Sequence, residues 1–190
     1  MVDTFYRPEF VEALRLLSDA FDDVESQGHQ RPVLVGGAAA ELITLGELMS
    51  GDLDVVTPWQ DIFETALEEA GFERSVGPGS FSRGFLHPVL EVGVEVVGRT
   101  LLDGRGSYDR VFLLRLDDGR AVDVICVEDL IADRMAQYNC PPNYDRDRLD
   151  QAIKLYKLAL ELDKDYLDRR IVEETFGDFN LEFLEMQAHA

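Results

Sequence analysis

Val33-Leu34-Val35-Gly36-Gly37-Ala38-Ala39-Ala40-Glu41, followed by Ser50-Gly51-Asp52-Leu53-Asp54-Val55-Val56, is the stretch on which the reading of this chain turns. The short aliphatic run after Pro32 reads as a buried strand that leads straight into Gly36-Gly37. Ala38 to about Met49 then reads as a small-residue helix carrying Leu42, Leu45 and Leu48. A glycine pair between strand and helix leaves backbone N–H groups open to a phosphate, because no side chain intervenes. The same pair is also an ordinary tight turn. No Gly-Lys-Ser/Thr follows it, so the segment is not a P-loop, and its spacing is not a Rossmann fingerprint.

Asp52 and Asp54 sharpen the reading. Two positions apart on a strand, both carboxylates point to one face while Leu53 and Val55 point to the other. Two acids so close repel each other unless a cation lies between them. Oxygen-rich pairs of this kind suit Mg²⁺, which fills its remaining positions with water and substrate phosphates. The plain alternative is a solvent-facing acid pair on an edge strand. A third acid would complete a two-metal set. Val94-Glu95-Val96 offers one, with Glu91 two strand repeats earlier on the same face, and Val122-Asp123-Val124 is the competing placement. Glu95 is preferred because it lies in the first long strand after the helix that follows Asp54.

Outward from this stretch, Pro8 to about Gln27 is expected to be a helix, with Phe10, Leu14, Leu17 and Phe21 at helical spacing. A further helix is expected from about Trp59 to Ala70, ended by Gly71, and Phe85 to Val97 is expected to be extended. Gly77-Pro78-Gly79-Ser80 and Gly104-Arg105-Gly106-Ser107 read as loops. Asp117-Asp118-Gly119-Arg120 is a hairpin signal between Val111–Leu116 and Ala121–Cys126, because Asp-Gly accommodates positive φ. Helices are expected near 128–138, 146–162, 164–175 and 180–187, with Pro141-Pro142-Asn143 between the first two. Leu149, Ile153, Tyr156 and Leu160 form a stripe that reads as core or as a dimer face. The fold class is α+β: residues 1–127 as a mixed sheet with flanking helices, then 128–190 as a helical C-terminal segment packed on it.

The composition narrows the function. The 190 residues hold 38 acids and 18 bases, a net charge of −20, so the chain repels polyanions at long range. Broad nucleic-acid binding and anionic-membrane binding are therefore not expected. The acids are scattered, as on a solvated surface suited to high salt or to a basic protein partner. Two cysteines, Cys126 and Cys140, make neither a disulfide framework nor a metal knuckle. The start of the sequence lacks a basic-then-apolar signal pattern, and the expected address is the cytoplasm. His29, His87 and His189 are dispersed, and no Ser/His/Asp or Cys/His set emerges from spacing.

Gly36-Gly37 at a helix start, Asp52-Leu53-Asp54 on a strand and Val94-Glu95-Val96 on a later one together resemble the nucleotidyltransferase superfamily typified by DNA polymerase β. Ser50-Gly51-Asp52-Leu53-Asp54 is similar to the Thr-x-Asp-x-Asp form of the minimal prokaryotic members. Glu128 to Arg134 and Asp145 to Ala152 resemble helical segments of uncharacterised nucleotidyltransferases and AbiEii-type toxins. The resemblance implies a nucleotidyltransferase-like mixed sheet followed by a helical tail. It also implies transfer of a nucleoside monophosphate from a Mg²⁺-bound nucleoside triphosphate to a hydroxyl of a protein, an RNA end or a small molecule, in a toxin–antitoxin setting. Asp52, Asp54 and Glu95 would be the catalytic and metal-holding acids, and Gly36, Gly37 and Ser50 would receive the nucleotide. No lysine occurs before Lys154, so phosphate neutralisation would fall to metal and to arginines such as Arg83, Arg134 or Arg146. The alternative is a catalytically lapsed member serving as a binding or antitoxin-like module. A monomer and a homodimer are both compatible with the sequence.

Overall fold

The computed structural model describes residues 5–75, 84–140 and 144–189. Arg83, the Gly77–Ser80 loop and Pro141–Asn143 lie outside them. The chain divides into two compact units, one of Met1–Ala39 with Met49–Ile125, the other of Ala40–Leu48 with Cys126–Ala190.

The first unit holds a seven-stranded mixed sheet. Its strands are β1 (Val33–Val35), β2 (Asp52–Val56), β3 (Glu73–Arg74), β4 (Phe85–Leu86), β5 (Gly93–Gly98), β6 (Phe112–Arg115) and β7 (Ala121–Val124), in the order β3-β4-β5-β2-β1-β7-β6. β1 runs antiparallel to β2 and parallel to β7, while β2 and β5 are parallel. Leu34, Leu53, Val55, Val94, Val122 and Val124 share one face of the sheet and are buried, which is the alternation that the spacing around Asp52 predicts. Helix α1 (Pro8–Ser26) packs on α3 (Gln60–Glu69) and on β7. Phe10, Leu14, Leu17 and Phe21 form its buried stripe, and the Phe21 ring meets Phe63 edge-on at 5.8 Å. Each such side chain contributes about 1.5–3 kcal/mol through burial.

Three expectations need correction. Helix α2 runs from Gly36 to Ile43, starting at the first glycine and stopping six residues short of Met49. Gly46 donates to the carbonyl of Glu41 and Leu45 takes φ +52°, a left-handed ending that closes the helix and leaves Leu45 exposed. Phe85 to Val97 is a hairpin, not one extended run. The His87 Nδ1 accepts from the N–H groups of Val89 and Leu90, which folds the chain back at Pro88, and Glu91 falls in that turn with φ +54° rather than on the strand with Glu95. In the second unit the buried face of α5 (Arg146–Leu158) is Leu149, Ala152 and Leu155. That helix ends before Leu160, which is fully exposed.

The second unit is otherwise helical, with α4 (Val127–Tyr138), α6 (Lys164–Glu174) and α7 (Leu181–His189) beside α5. A buried ionic cluster ties α4 to α6. Arg170 Nε donates to Asp129 Oδ1 at 2.6 Å, the Tyr166 hydroxyl donates to the same carboxylate at 3.0 Å, and Arg170 also pairs with Glu174. Asp129 is 1% exposed and Arg170 3%. Removing one partner of such a pair strands the other charge away from water. Arg170→Met is therefore expected to destabilise the chain by about 3–5 kcal/mol, read as a lower midpoint in urea unfolding; an unchanged midpoint would show that the cluster carries no stability. Among the described residues no helix is long and apolar enough to cross a membrane.

Candidate active site

The glycine pair and the acid strand meet because β1 and β2 are antiparallel neighbours, with Val35 opposite Asp54. The end of β1 thereby delivers Gly36 against the Asp54 side chain. Gly36 has φ +64°, and a Cβ on it would lie 1.9 Å from Asp54 Oδ2. The Gly37 N–H points at that same oxygen, 3.4 Å away. A Cβ on Gly37 would fall 2.6 Å from the Ser50 hydroxyl. That hydroxyl donates to the backbone carbonyl of Asp52 at 2.9 Å and lies 3.4 Å from Asp52 Oδ1. Gly36, Gly37, Ser50, Asp52 and Asp54 are all half-buried and so remain reachable from solvent.

Register distinguishes the two candidates for a third acid. Asp54 and Glu95 are direct partners across the parallel β2–β5 pair, so they occupy one face of adjacent strands. Asp123 shares that face but lies two strands over, about 10 Å across, and two residues along. It is also engaged elsewhere: Arg31 Nε donates to Asp123 Oδ2 at 2.6 Å and the same guanidinium pairs with Asp22 and Glu25. Burial works against charge on Arg31, and the hydrogen bonds it donates to these acids outweigh that and hold its pKa above the ordinary arginine value.

A small cavity of about 100 Å³ opens beside the acids, lined by Asp52, Glu95, Ser75, Gly84, Phe85 and Gly93. The glycine pair does not line it. Asp52 and Glu95 thus face the cavity, while Asp54 lies against Gly36 and Gly37. The donor set is carboxylate oxygen throughout, the chemistry a hard divalent cation prefers. Among the described residues no three His, Cys, Asp or Glu side chains close into a ready metal cluster. Asp52, Asp54 and Glu95 lie on one face of two adjacent strands, and in donor chemistry alone these residues fit Mg²⁺.

Sequence reasoning missed two features. Arg7, just before α1, donates from Nη2 to the Ser50 carbonyl at 2.6 Å, a contact across 43 residues that no local pattern announces. Phe85 and Ser75 become cavity walls only because β4 folds back on β5. Of the arginines expected to meet phosphate, Arg134 is buried in α4 and donates to Asp133, Arg146 is exposed at the start of α5, and Arg83 lies outside the described residues. Cys126 is no nucleophile, since burial and the nearby Asp129 charge push its thiol pKa far up.

This architecture is the nucleotidyltransferase-like fold. The chain is similar to an antigenic nucleotidyltransferase-like protein from Paracoccidioides brasiliensis, at 16% identity over 96% of this chain and 94% of that one, with a TM-score of 0.58. It is also similar to the antibiotic-resistance factor ANT(2'')-Ia, at 15% identity over 93% and 97% of the two chains, TM-score 0.50. A third likeness is to MenT4, a nucleotidyltransferase toxin of Mycobacterium tuberculosis, at 18% identity over 90% of this chain and 67% of that one, TM-score 0.50. No family model and no curated protein matches the chain. At these identities the likeness is one of fold.

Proposed function

We propose that this chain is a Mg²⁺-dependent nucleotidyltransferase that moves a nucleoside monophosphate from a nucleoside triphosphate to a hydroxyl. The observation that carries the reading is Asp54, which lies against Gly36-Gly37 on one side and pairs with Glu95 on the other. Asp52, Asp54 and Glu95 would hold the metal, which when bound supplies positive charge to the reacting phosphate oxygens. The Gly36 and Gly37 backbone and the Ser50 hydroxyl bind and orient the triphosphate tail. Glu95, facing the cavity, orients the acceptor hydroxyl and takes its proton. The acceptor oxygen bonds to the α-phosphorus, the bond from that phosphorus to the β-bridging oxygen breaks, and pyrophosphate leaves with the electron pair. In-line displacement would need the attacking and leaving oxygens on opposite sides of that phosphorus.

The acceptor hydroxyl would belong to a protein side chain, an RNA end or a small molecule. A net charge of −20 disfavours a long duplex acceptor. The likeness to MenT4, described as a nucleotidyltransferase toxin, supports a toxin–antitoxin setting. A second reading, a lapsed module that binds without turnover, is favoured by the sequence: no lysine occurs before Lys154, and the net charge is −20.

Melting in the presence of ATP, GTP, CTP or UTP, with and without Mg²⁺, tests the first reading. A cognate triphosphate at a hundredfold excess over Kd is expected to add about 2.7 kcal/mol of stability only when Mg²⁺ is present. Labelled triphosphate with a cell extract then separates turnover from binding alone. Glu95→Gln is expected to lose transfer while keeping residual triphosphate binding through Asp52 and Asp54. Asp123→Asn is expected to keep transfer and to lose some stability, because it weakens the pair with Arg31. An inactive Asp123→Asn beside an active Glu95→Gln would reverse the assignment.

A further inference from the structure

The face that carries Asp52, Asp54 and Glu95 holds three negative charges and is proposed to receive a polyanion. Repulsion there must be met by fixed positive charge as well as by metal. The candidates that sequence reasoning named do not include Arg7. Yet Arg7 is brought to the segment that precedes the acid strand.

Arg7 occupies the N-cap position of α1 in an extended conformation, and Pro8 fixes the first turn behind it. Its Nη2 donates to the Ser50 carbonyl at 2.6 Å, and its guanidinium carbon sits 5.8 Å from the centre of the Phe10 ring. Phe10 is 1% exposed, so the ring that supports the guanidinium is itself anchored in the core. Ser50 links the two parts of the site: its hydroxyl donates to the Asp52 carbonyl and lies 2.6 Å from where a Gly37 Cβ would be. Holding the Ser50 carbonyl from behind therefore fixes both the seat beside Gly37 and the direction in which Asp52 leaves. A lysine could supply the charge but not a planar fork seated over an aromatic ring.

We infer that Arg7 is a positioning residue for the nucleotide site: it locks the Ser50–Asp52 segment and places a permanent positive charge behind the triphosphate cradle. This rests on the reading of Gly36, Gly37 and Ser50 as that cradle. The assignment predicts two separable effects of substitution, one on geometry and one on charge. Arg7→Gln removes both, and Arg7→Lys keeps the charge while losing the fork.

The test is titration of wild type, Arg7→Lys and Arg7→Gln with the Mg²⁺ complexes of ATP, GTP, CTP and UTP, at low salt and at a few tenths molar salt. Arg7→Gln is expected to bind the preferred triphosphate about tenfold more weakly, as loss of a charge-assisted hydrogen bond implies. Its affinity is also expected to fall less steeply with salt, because one screened attraction is gone. Arg7→Lys is expected to lose only about threefold and to keep the wild-type salt dependence. A residue that only supported the fold would lower the melting temperature and leave the salt dependence unchanged. Wild-type affinity and salt dependence in Arg7→Gln would overturn the assignment. If Arg7→Gln fails to fold, wild-type affinity in Arg7→Lys overturns it instead. A wild type that binds none of the four triphosphates defeats the cradle reading itself, and the role of Arg7 falls with it.

Discussion

Asp54→Asn is expected to abolish Mg²⁺-dependent triphosphate binding and any nucleotidyl transfer while leaving the fold standing. Asparagine keeps the shape of the side chain and its contact with the Gly37 N–H, so the closure of β1 against β2 is preserved. What disappears is the negative charge at the junction of the glycine pair and the Glu95 strand. A hard cation has little affinity for a neutral amide oxygen beside two remaining acids. Even partners that only support a metal ligand change affinity by about 10–100-fold, so loss of a direct ligand should exceed about a hundredfold. The melting temperature without nucleotide should hold or rise at low salt, because a like-charge repulsion among three acids has been relieved. Two measurements decide it: the melting shift with each Mg²⁺-triphosphate, and label transfer from the preferred one. Wild-type behaviour in both would remove Asp54 from the chemistry. A collapsed fold would assign Asp54 a structural role.

What was legible in the sequence was whatever local periodicity encodes. Asp52-Leu53-Asp54-Val55 alternates strictly, and strand alternation is decided by adjacent residues, so the acid face followed directly. The glycine pair was legible for a similar reason, since it ends an aliphatic run. Limits appeared where one residue redirected the chain. Leu45 lies in helical register with Leu42 and Leu48, but Gly46 takes φ +85° and closes the helix before that register can be used. Nothing in the apolar pattern of 85–97 announces the reversal at Pro88, because it is made by the His87 ring accepting two backbone N–H groups. The choice between Glu95 and Asp123 depended on strand order, which is a property of the assembled sheet. Arg7 belongs to the same class: its partner Ser50 is distant in sequence and close only after β2 has docked.

Charge illustrates the same division between local and assembled information. The excess of acids was evident from composition, yet composition does not say which acids are paired. Arg31 alone engages Asp22, Glu25 and Asp123, and Arg120 bridges Asp19 and Asp118. These pairs engage Asp123 with Arg31, while Asp52 and Glu95 line the cavity and Asp54 lies against Gly36.

Gly36→Ala is expected to damage stability and function together. A methyl group there would stand 1.9 Å from Asp54 Oδ2 and 2.7 Å from its Cγ, well inside contact distance. The backbone makes the clash harder to relieve, because φ of +64° disfavours any side chain whatever the space around it. Overpacking typically costs about 1–3 kcal/mol and a residue held in the left-handed region about 1–3 more, so a loss of roughly 2–6 kcal/mol is expected. The cheapest relief is rotation of the Asp54 carboxylate away from the glycine pair, which would dismantle the cradle even where the fold survives. Gly37→Ala separates the two effects. Its φ is not in the left-handed region, and its Cβ would meet only Ser50, the rotatable hydroxyl at 2.6 Å and the Cβ at 3.2 Å. Gly37→Ala should therefore keep most of the stability while weakening triphosphate binding, as Ser50 turns away from the site. Urea unfolding paired with Mg²⁺-triphosphate titration distinguishes the outcomes. Equal stability of Gly36→Ala and wild type would mean that the close approach of β1 to Asp54 is relieved at no cost. Full triphosphate affinity in both variants would place the phosphates elsewhere on the sheet.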